Sequence, residues 1–267
     1  MRALMLAAGV GRRLYGADHE SQPPKVLLTF GGKSLLQRHI EILAGLGFSE
    51  LVMVLGHRQD EILAEARRHA PEGFVRSVFN PRYREGPVIS LWTAREILRG
   101  NEDVVFMDAD VLYPPLLMER LVRSPHANCF IMDRNFEAGD EPVNLCLKDG
   151  HPVEFGKKIP GTFDVRGEWP GFLKLSPRVA ALLADATETY MAAGDFERPY
   201  EPAMRDVLLA EPKGTFGVED ITGISWIEID FPADVLRAEK NVLPRLSEKI
   251  DAIVDAGTGA KKSTGAA

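Results

Sequence analysis

Residues 1–13 read MRALMLAAGVGRR, and after a polar stretch residues 23–25 read PPK. Leu4 to Ala8 is an apolar run short enough to be a buried strand. It leads into Gly9 and Gly11, then Arg12 and Arg13, and Lys25 follows the two prolines. In a glycine turn, backbone N–H groups can approach phosphate oxygens because no Cβ intervenes. Arginines add charge-assisted, often bidentate hydrogen bonds. Strand, glycine turn and clustered cations point to a polyanion, most simply the phosphates of a nucleotide.

Outward from this stretch the chain alternates. Leu35, Leu36, His39, Ile40, Leu43 and Leu46 recur at helical spacing behind Ser34 and Gln37, a capping-box pattern. Val26–Phe30 and Leu51–Leu55 read as strands, and Gln59–His69 as a helix stopped by Pro71. Phe74–Phe79 and Asp103–Met107 read as further strands, separated by a helix over Val88–Leu98. Strands alternating with helices imply an α/β fold: a Rossmann-like, mostly parallel mixed sheet with helices on both faces. Ligands of such sheets bind beyond the carboxyl ends of the strands. Gly9 to Arg13, Asn80 and Asp108 to Asp110 all fall there.

The second half changes rhythm. Val143–Leu147 and His151–Phe155 flank Asp149-Gly150, a hairpin signal. Phe172–Leu175 reads as a strand, Pro177–Ala193 and Glu201–Leu209 as helices. Ser225–Ile229 reads as a strand returning to the sheet, followed by a long helix from Pro232 to about Val254. The expectation is one domain over residues 1–255. A small antiparallel lobe of about residues 133–222 is inserted in it, and residues 256–267, rich in Gly, Ala, Lys, Ser and Thr, form a disordered tail. Such a lobe can carry a homodimer interface.

The composition narrows the classes. The chain has 267 residues and a net charge of −7, which argues against nucleic-acid or membrane-surface partners. No apolar run approaches the roughly 20 residues of a membrane span. The run after Arg2 ends in Gly-Val-Gly-Arg-Arg, unlike a signal peptide. Cys129 and Cys146 lack metal spacing and read as buried reduced thiols. The expected location is the cytoplasm.

Three phosphate-loop readings compete. A Walker A loop would place Gly-Lys-Ser/Thr directly after the glycines. Lys25 is too distant, and Gly32-Lys33-Ser34 has Leu27 where a glycine is required. A dinucleotide fingerprint would need a glycine at Leu14 and an acidic residue after the second strand, where Leu55-Gly56-His57 stands. A loop wrapping the triphosphate of an NTP substrate needs cations, which Arg12, Arg13 and Lys25 supply.

Leu6-Ala7-Ala8-Gly9-Val10-Gly11-Arg12-Arg13-Leu14, followed by Pro24-Lys25-Val26-Leu27, resembles the signature of the sugar-nucleotidyltransferase superfamily. Arg12 stands where that family usually has Ser or Thr. Asp108-Ala109-Asp110 is similar to the family's metal-binding carboxylates, and the Trp226–Asp234 stretch resembles its second metal site, with Asp230 matching. Within the superfamily, Asn80-Pro81-x-Tyr83 with Ser90-Leu91, and Arg198-Pro199-Tyr200-Glu201, resemble segments of bacterial cytidylyltransferases. Those enzymes act on phosphocholine, inositol phosphate or aminoalkylphosphonates. Glu85-Gly86-Pro87 stands where members often have Glu-Asn and a small polar residue, which leaves another NTP open as the substrate.

The resemblance implies transfer of CMP from CTP to a small phosphorylated or phosphonate acceptor, with pyrophosphate leaving. It implies Lys25, Arg13 and Asp110 as catalytic residues and Mg²⁺ on Asp110 and Asp230. Leu6, Ala7, Ala8, Gly9, Gly11, Arg12, Asn80, Gly86, Ser90 and Asp108 would line the nucleotide site. Lys157, Trp169, Tyr200 and Glu201 would face the acceptor, with Trp226 a third aromatic for a cationic head group. Each residue also has a plainer reading. Asp108 and Asp110 suit an ordinary turn, and Asp230 suits a helix cap. Lys157 suits a charged strand edge, the aromatics suit core positions, and Glu201 suits a helix start. The same fold with another base, a nucleotide-binding regulator, and an NAD-dependent oxidoreductase are the competing functions. The last lacks its third glycine and its acidic residue.

Overall fold

A computed structural model describes residues 1–135 and 142–247 of the chain. In chain order the first half runs β1 (Arg2–Ala7), α1 (Arg12–Tyr15), β2 (Thr29–Phe30), β3 (Lys33–Ser34), α2 (Leu35–Gly45), β4 (Leu51–Leu55), α3 (Gln59–His69) and β5 (Val75–Phe79). It continues with α4 (Pro87–Thr93), α5 (Arg95–Leu98), β6 (Val104–Asp108), β7 (Val111–Leu112), α6 (Pro115–Arg123) and β8 (Cys129–Met132). The second half runs β9 (Asn144–Lys148), β10 (His151–Gly156), β11 (Val165–Glu168), β12 (Phe172–Leu175), α7 (Pro177–Ala192), α8 (Glu201–Ala210), β13 (Gly217–Asp220), β14 (Ile227–Glu228) and α9 (Pro232–Arg237).

The main sheet has seven strands in the order β13-β8-β12-β6-β1-β4-β5. All neighbours are parallel except β12, which lies antiparallel between β6 and β8. From β1 the chain first adds β4 and β5 on one side, then returns to place β6 on the other. Strand order therefore reverses between β1 and β6, and a crevice opens beyond their carboxyl ends.

Alternation along the strands sorts their side chains onto two faces. Ala3, Met5, Ala7, Leu51, Met53, Val105 and Met107 face one way and pack with Leu36, Ile40 and Leu43 of α2, Ile62 of α3 and Leu117 of α6. Leu4, Val52, Val54, Val104 and Phe106 face the other way, against Leu91, Leu98, Val179, Leu183 and Met204. With burial on both faces, Leu51–Leu55 reads as an unbroken apolar run. Lys174 lies within β12 and is 6% exposed. Its ammonium donates to the carbonyl of Ser124 at 2.8 Å, just past α6, which accounts for a lysine inside the sheet.

The hairpin at Asp149-Gly150 forms as expected, with both residues at positive φ (51° and 74°). It joins β9 and β10, and with β11 on its other edge makes a three-stranded antiparallel sheet. Leu145, Leu147 and Phe155 carry this sheet onto the second core face. Within residues 133–222, however, β12 and β13 belong to the main sheet and α7 packs beneath it. The separate sheet is confined to β9–β11.

Five other expectations change. Of the strand expected over Val26–Phe30 only Thr29–Phe30 (β2) forms; Lys25–Leu27 is a 3-10 turn, in which Pro24 accepts from the Leu27 N–H and Lys25 from that of Leu28. The helix expected over Val88–Leu98 breaks at Ala94 (φ −87°, ψ 8°), giving α4 and α5. The Ser225–Ile229 strand does not return to the main sheet. Only Ile227–Glu228 is paired, with β7 in a two-stranded ribbon. The helix from Pro232 gives way to a π turn at Ala238–Val242 and a 3-10 turn at Leu243–Arg245, where Pro244 lacks an N–H to continue the ladder. At Ser34 the cap is half of the expected box: its hydroxyl accepts from the Gln37 N–H at 3.0 Å, while the Gln37 side chain turns to Glu41. Residues 256–267, expected to form a tail, lie outside the described residues. Among the described residues no helix is long and apolar enough to cross a membrane.

Candidate active site

The loop after β1 is shaped for an anion. Gly11 has φ 72°, and a Cβ there would also meet the Tyr15 ring at 3.0 Å. From this turn α1 starts at Arg12 and puts Arg13 beside the crevice. The 3-10 turn after Pro24 does the same for Lys25. The Lys25 ammonium lies 2.9 Å from Asp110 Oδ2 and 2.7 Å from Asp230 Oδ1, and Arg13 lies 2.9 Å from Asp230 Oδ2. Residues 85 and 205 positions apart from Lys25 thus meet on one ammonium. Burial pulls the Lys25 pKa down, but the two carboxylate charges more than reverse this and hold it well above its ordinary value.

A cavity of about 330 Å³ opens here. Of the residues expected to face a nucleotide, Leu6, Ala7, Ala8, Gly9, Gly11, Arg12, Arg13, Lys25, Ser90 and Asp108 line it, together with Asp110. Two expected lining residues stand behind it instead. Asn80 is fully buried, and its amide donates to Ser90 Oγ at 3.0 Å, which leaves the Ser90 hydroxyl hydrogen free to donate elsewhere. Gly86 carries the loop against its neighbour: its N–H donates to Phe196 O at 3.0 Å, and a Cβ would lie 2.3 Å from that oxygen. Tyr83 and Glu85, which belong to the segments of resemblance, line the same wall together with Arg84, which was not singled out from the sequence.

Glu228 was also missed. One oxygen from each of Asp110, Glu228 and Asp230 lies within 4.8 Å of the others. Glu228 and Asp230 are two residues apart on an extended segment, so both side chains point the same way. That spacing was the available signal. The segment is tied to the other arm of the cluster by the Ile229 N–H, which donates to Asp110 O at 2.9 Å. Asp234 braces its far end by accepting from the N–H groups of Asp230 (2.9 Å) and Phe231 (2.7 Å). Three hard oxygen donors of this kind match Mg²⁺ better than any softer cation.

Asp108 differs from Asp110. Burial, and then the charge of Asp110, raise its pKa well above the ordinary carboxylate value. The Tyr200 hydroxyl, itself held protonated by burial, donates to Asp108 Oδ2 at 2.6 Å. Tyr200 therefore belongs to the wall of this first cavity.

The acceptor residues are divided. Glu201 and Lys157 face each other at 3.8 Å and line a second cavity, also of about 330 Å³, with Phe155, Ile159, Pro199 and Pro202. Trp169 lines neither cavity. It is 4% exposed, its indole N–H donates to Phe172 O at 2.7 Å, and its ring packs on Phe106 and Phe155. Trp226 packs against the opposite core face and donates to Asp133 Oδ2 at 2.9 Å. No cage forms from Trp169, Tyr200 and Trp226, because two of the three are used by the core.

A glycine turn at a sheet reversal, clustered cations and carboxylates from two distant segments define the class: a nucleotidyltransferase-type α/β domain. The chain belongs to the MobA-like NTP transferase domain family, whose model matches residues 3–164. It is 29% identical over 254 residues to the CMP-5'-(3-aminopropyl)phosphonate synthase of Streptomyces rubellomurinus, covering 91% of this chain and 39% of that relative's length. It is 22% identical over 257 residues to the CTP:phosphoglutamine cytidylyltransferase of Campylobacter jejuni, covering 88% of this chain and 98% of the relative. Among solved structures, the CTP:phosphocholine cytidylyltransferase of Streptococcus pneumoniae aligns with a TM-score of 0.69 at 21% identity, over 89% of this chain and 97% of that one. The fold and family agree with the resemblance drawn from the sequence motifs.

Proposed function

We propose that the chain transfers CMP from CTP to a small phosphate- or phosphonate-bearing acceptor and releases pyrophosphate. The observation that carries this is the meeting of Lys25 and Arg13 with Asp110 and Asp230 beyond the ends of β1 and β6. The cytidylyltransferase relatives support the choice of base and acceptor class. Free, buried Cys129 and Cys146 suit a cytoplasmic, reducing location.

In this reading an acceptor oxygen forms a bond to the α-phosphorus of CTP while the bond to the β-phosphate oxygen breaks. A phosphate or phosphonate dianion is already deprotonated near neutral pH, so no general base is required. The chain's task is positioning and charge stabilisation. Arg13, and Arg12 at the cavity mouth, steady the β and γ phosphates. Lys25 exchanges carboxylate for phosphate oxygens and offsets charge at the α-phosphate. Ser90, oriented by Asn80, faces the base. Asp110, Glu228 and Asp230 would hold Mg²⁺, which supplies charge neutralisation and Lewis-acid polarisation of phosphate oxygens. The second cavity, with Lys157 and Glu201 at its rim, receives the rest of the acceptor.

Pyrophosphate release tests this, measured with each of the four NTPs against phosphocholine, aminoalkylphosphonates and inositol phosphate. The expected result is release with CTP and at least one acceptor, dependent on both. Release with GTP or UTP alone would replace the base assignment. Binding of CTP without turnover on any acceptor would favour a regulator.

A further inference from the structure

Asp110 owes its place to its backbone, and that backbone is held on both sides. On one side the Ile229 N–H donates to Asp110 O. On the other, His39 Nε2 lies 3.0 Å from Ala109 O. A carbonyl only accepts, so Nε2 carries the hydrogen. Nδ1 of the neutral ring is then an acceptor, and the Tyr113 hydroxyl lies 3.3 Å from it. His39 is 1% exposed and Tyr113 3%. Burial lowers the His39 pKa to about 4 and raises that of Tyr113, so the ring is neutral and the phenol protonated. The two rings stack at 5.5 Å and 27°, and Tyr113 stands edge-on to Phe172 at 4.8 Å. His39 occupies the apolar stripe of α2, where a leucine would fill the same space without a buried donor and acceptor to satisfy.

We propose that His39, oriented by Tyr113, is a positioning residue for the acidic cluster: by fixing the Ala109–Asp110 peptide it sets where the Asp110 carboxylate lies and how tightly the cluster holds a divalent cation. This rests on the reading of Asp110, Glu228 and Asp230 as cation ligands. His39 touches neither nucleotide nor cation. Its effect passes through one carbonyl, as with the outer partners of metal ligands elsewhere.

The test is Mn²⁺ binding to the intact chain, followed by electron paramagnetic resonance without nucleotide. D110N is the control for the cluster and is expected to weaken binding more than tenfold. H39L, which keeps the packing and removes the donor, is expected to weaken it about tenfold. H39Q, which keeps an N–H at the position of Nε2, is expected to stay within about threefold of wild type, and Y113F to lose about two- to threefold. If D110N weakens binding while folded H39L matches wild type, the positioning role is wrong and the cluster stands. Equal losses in H39Q and H39L would also overturn it, because the donor would then not matter. Should H39L fail to fold, Y113F decides, and wild-type Mn²⁺ affinity in that variant contradicts the proposal. Unchanged binding in D110N would remove the cluster reading itself, and the positioning role with it.

Discussion

Two cavities of about 330 Å³, one lined by Tyr200 and the other by Pro199 and Glu201, are alike in volume and different in chemistry. The first is walled by a glycine turn, three arginines, a lysine and four acidic groups. The second is walled by Phe155, Ile159 and prolines, with Lys157, Lys158 and Arg205 offset by Glu154 and Glu201. Arg205 holds Glu154 in a two-pronged pair at 2.6 and 2.7 Å, so much of that charge is already matched within the wall. One cavity is built for a concentrated charge and the other for an amphipathic body. A reaction joining a triphosphate to a small organic phosphate or phosphonate needs both.

Substitutions that separate the two roles test this contrast. The largest effect is expected at the shared carboxylates. D110N or D230N should lower kcat by about 10³-fold, because a proposed cation ligand and a Lys25 partner are lost together. Titrating Mg²⁺ in each variant should show a raised half-activating concentration. K25A should cost about 10²-fold in kcat, as for loss of a transition-state donor. A K25A variant that folds and turns over near the wild-type rate would remove Lys25 from the mechanism.

In the second cavity, I159W should fill space lined by Ile159 and raise the acceptor KM about tenfold while leaving the CTP KM within about twofold. Equal changes in both constants would mean that the cavities are not separate subsites.

The two regions also differed in how far the sequence revealed them. The first cavity is local: Gly9, Gly11, Arg12 and Arg13 are consecutive or nearly so, and Asp108 and Asp110 end a recognisable strand. Their meeting at the β1–β6 reversal follows from the alternation of strands and helices. Asp230 was visible, but Glu228 was passed over although two-residue spacing places both on one side of a strand. The second cavity depends on packing that no local pattern encodes. Trp169 has an aromatic ring suited to a cation, yet its environment of Phe106, Phe155 and the Phe172 carbonyl makes it core. Tyr200 was assigned to the acceptor, and its hydroxyl instead serves Asp108. The ribbon of β7 and β14 joins segments more than a hundred residues apart, and two-residue strands carry too little pattern to announce such a pairing.

Smaller effects concern stability. D234A removes the acceptor that braces Asp230 and Phe231 at the start of α9, and should cost about 1 kcal/mol in denaturant unfolding. Glu168 is pushed up to about 7 by burial and then by the charge of Asp133. Its folded form keeps a proton that the unfolded chain releases nearer pH 4.5, so its stabilising contribution is present below that pH and is lost as pH rises through about 7. E168Q should therefore flatten the fall in stability across this window and gain on the order of 1 kcal/mol at pH 8, seen as a rise in Tm of a few degrees. An unchanged pH profile would show that Glu168 ionises as freely in the fold as in the unfolded chain.

The central claim is tested most directly by ³¹P NMR of the wild-type chain with CTP, Mg²⁺ and an aminoalkylphosphonate or phosphocholine. The account predicts loss of the three CTP resonances in step with pyrophosphate and a pair of coupled signals from the new CMP–acceptor linkage, in equal amounts. Pyrophosphate or inorganic phosphate appearing without the coupled pair, with every acceptor in the panel, would contradict it.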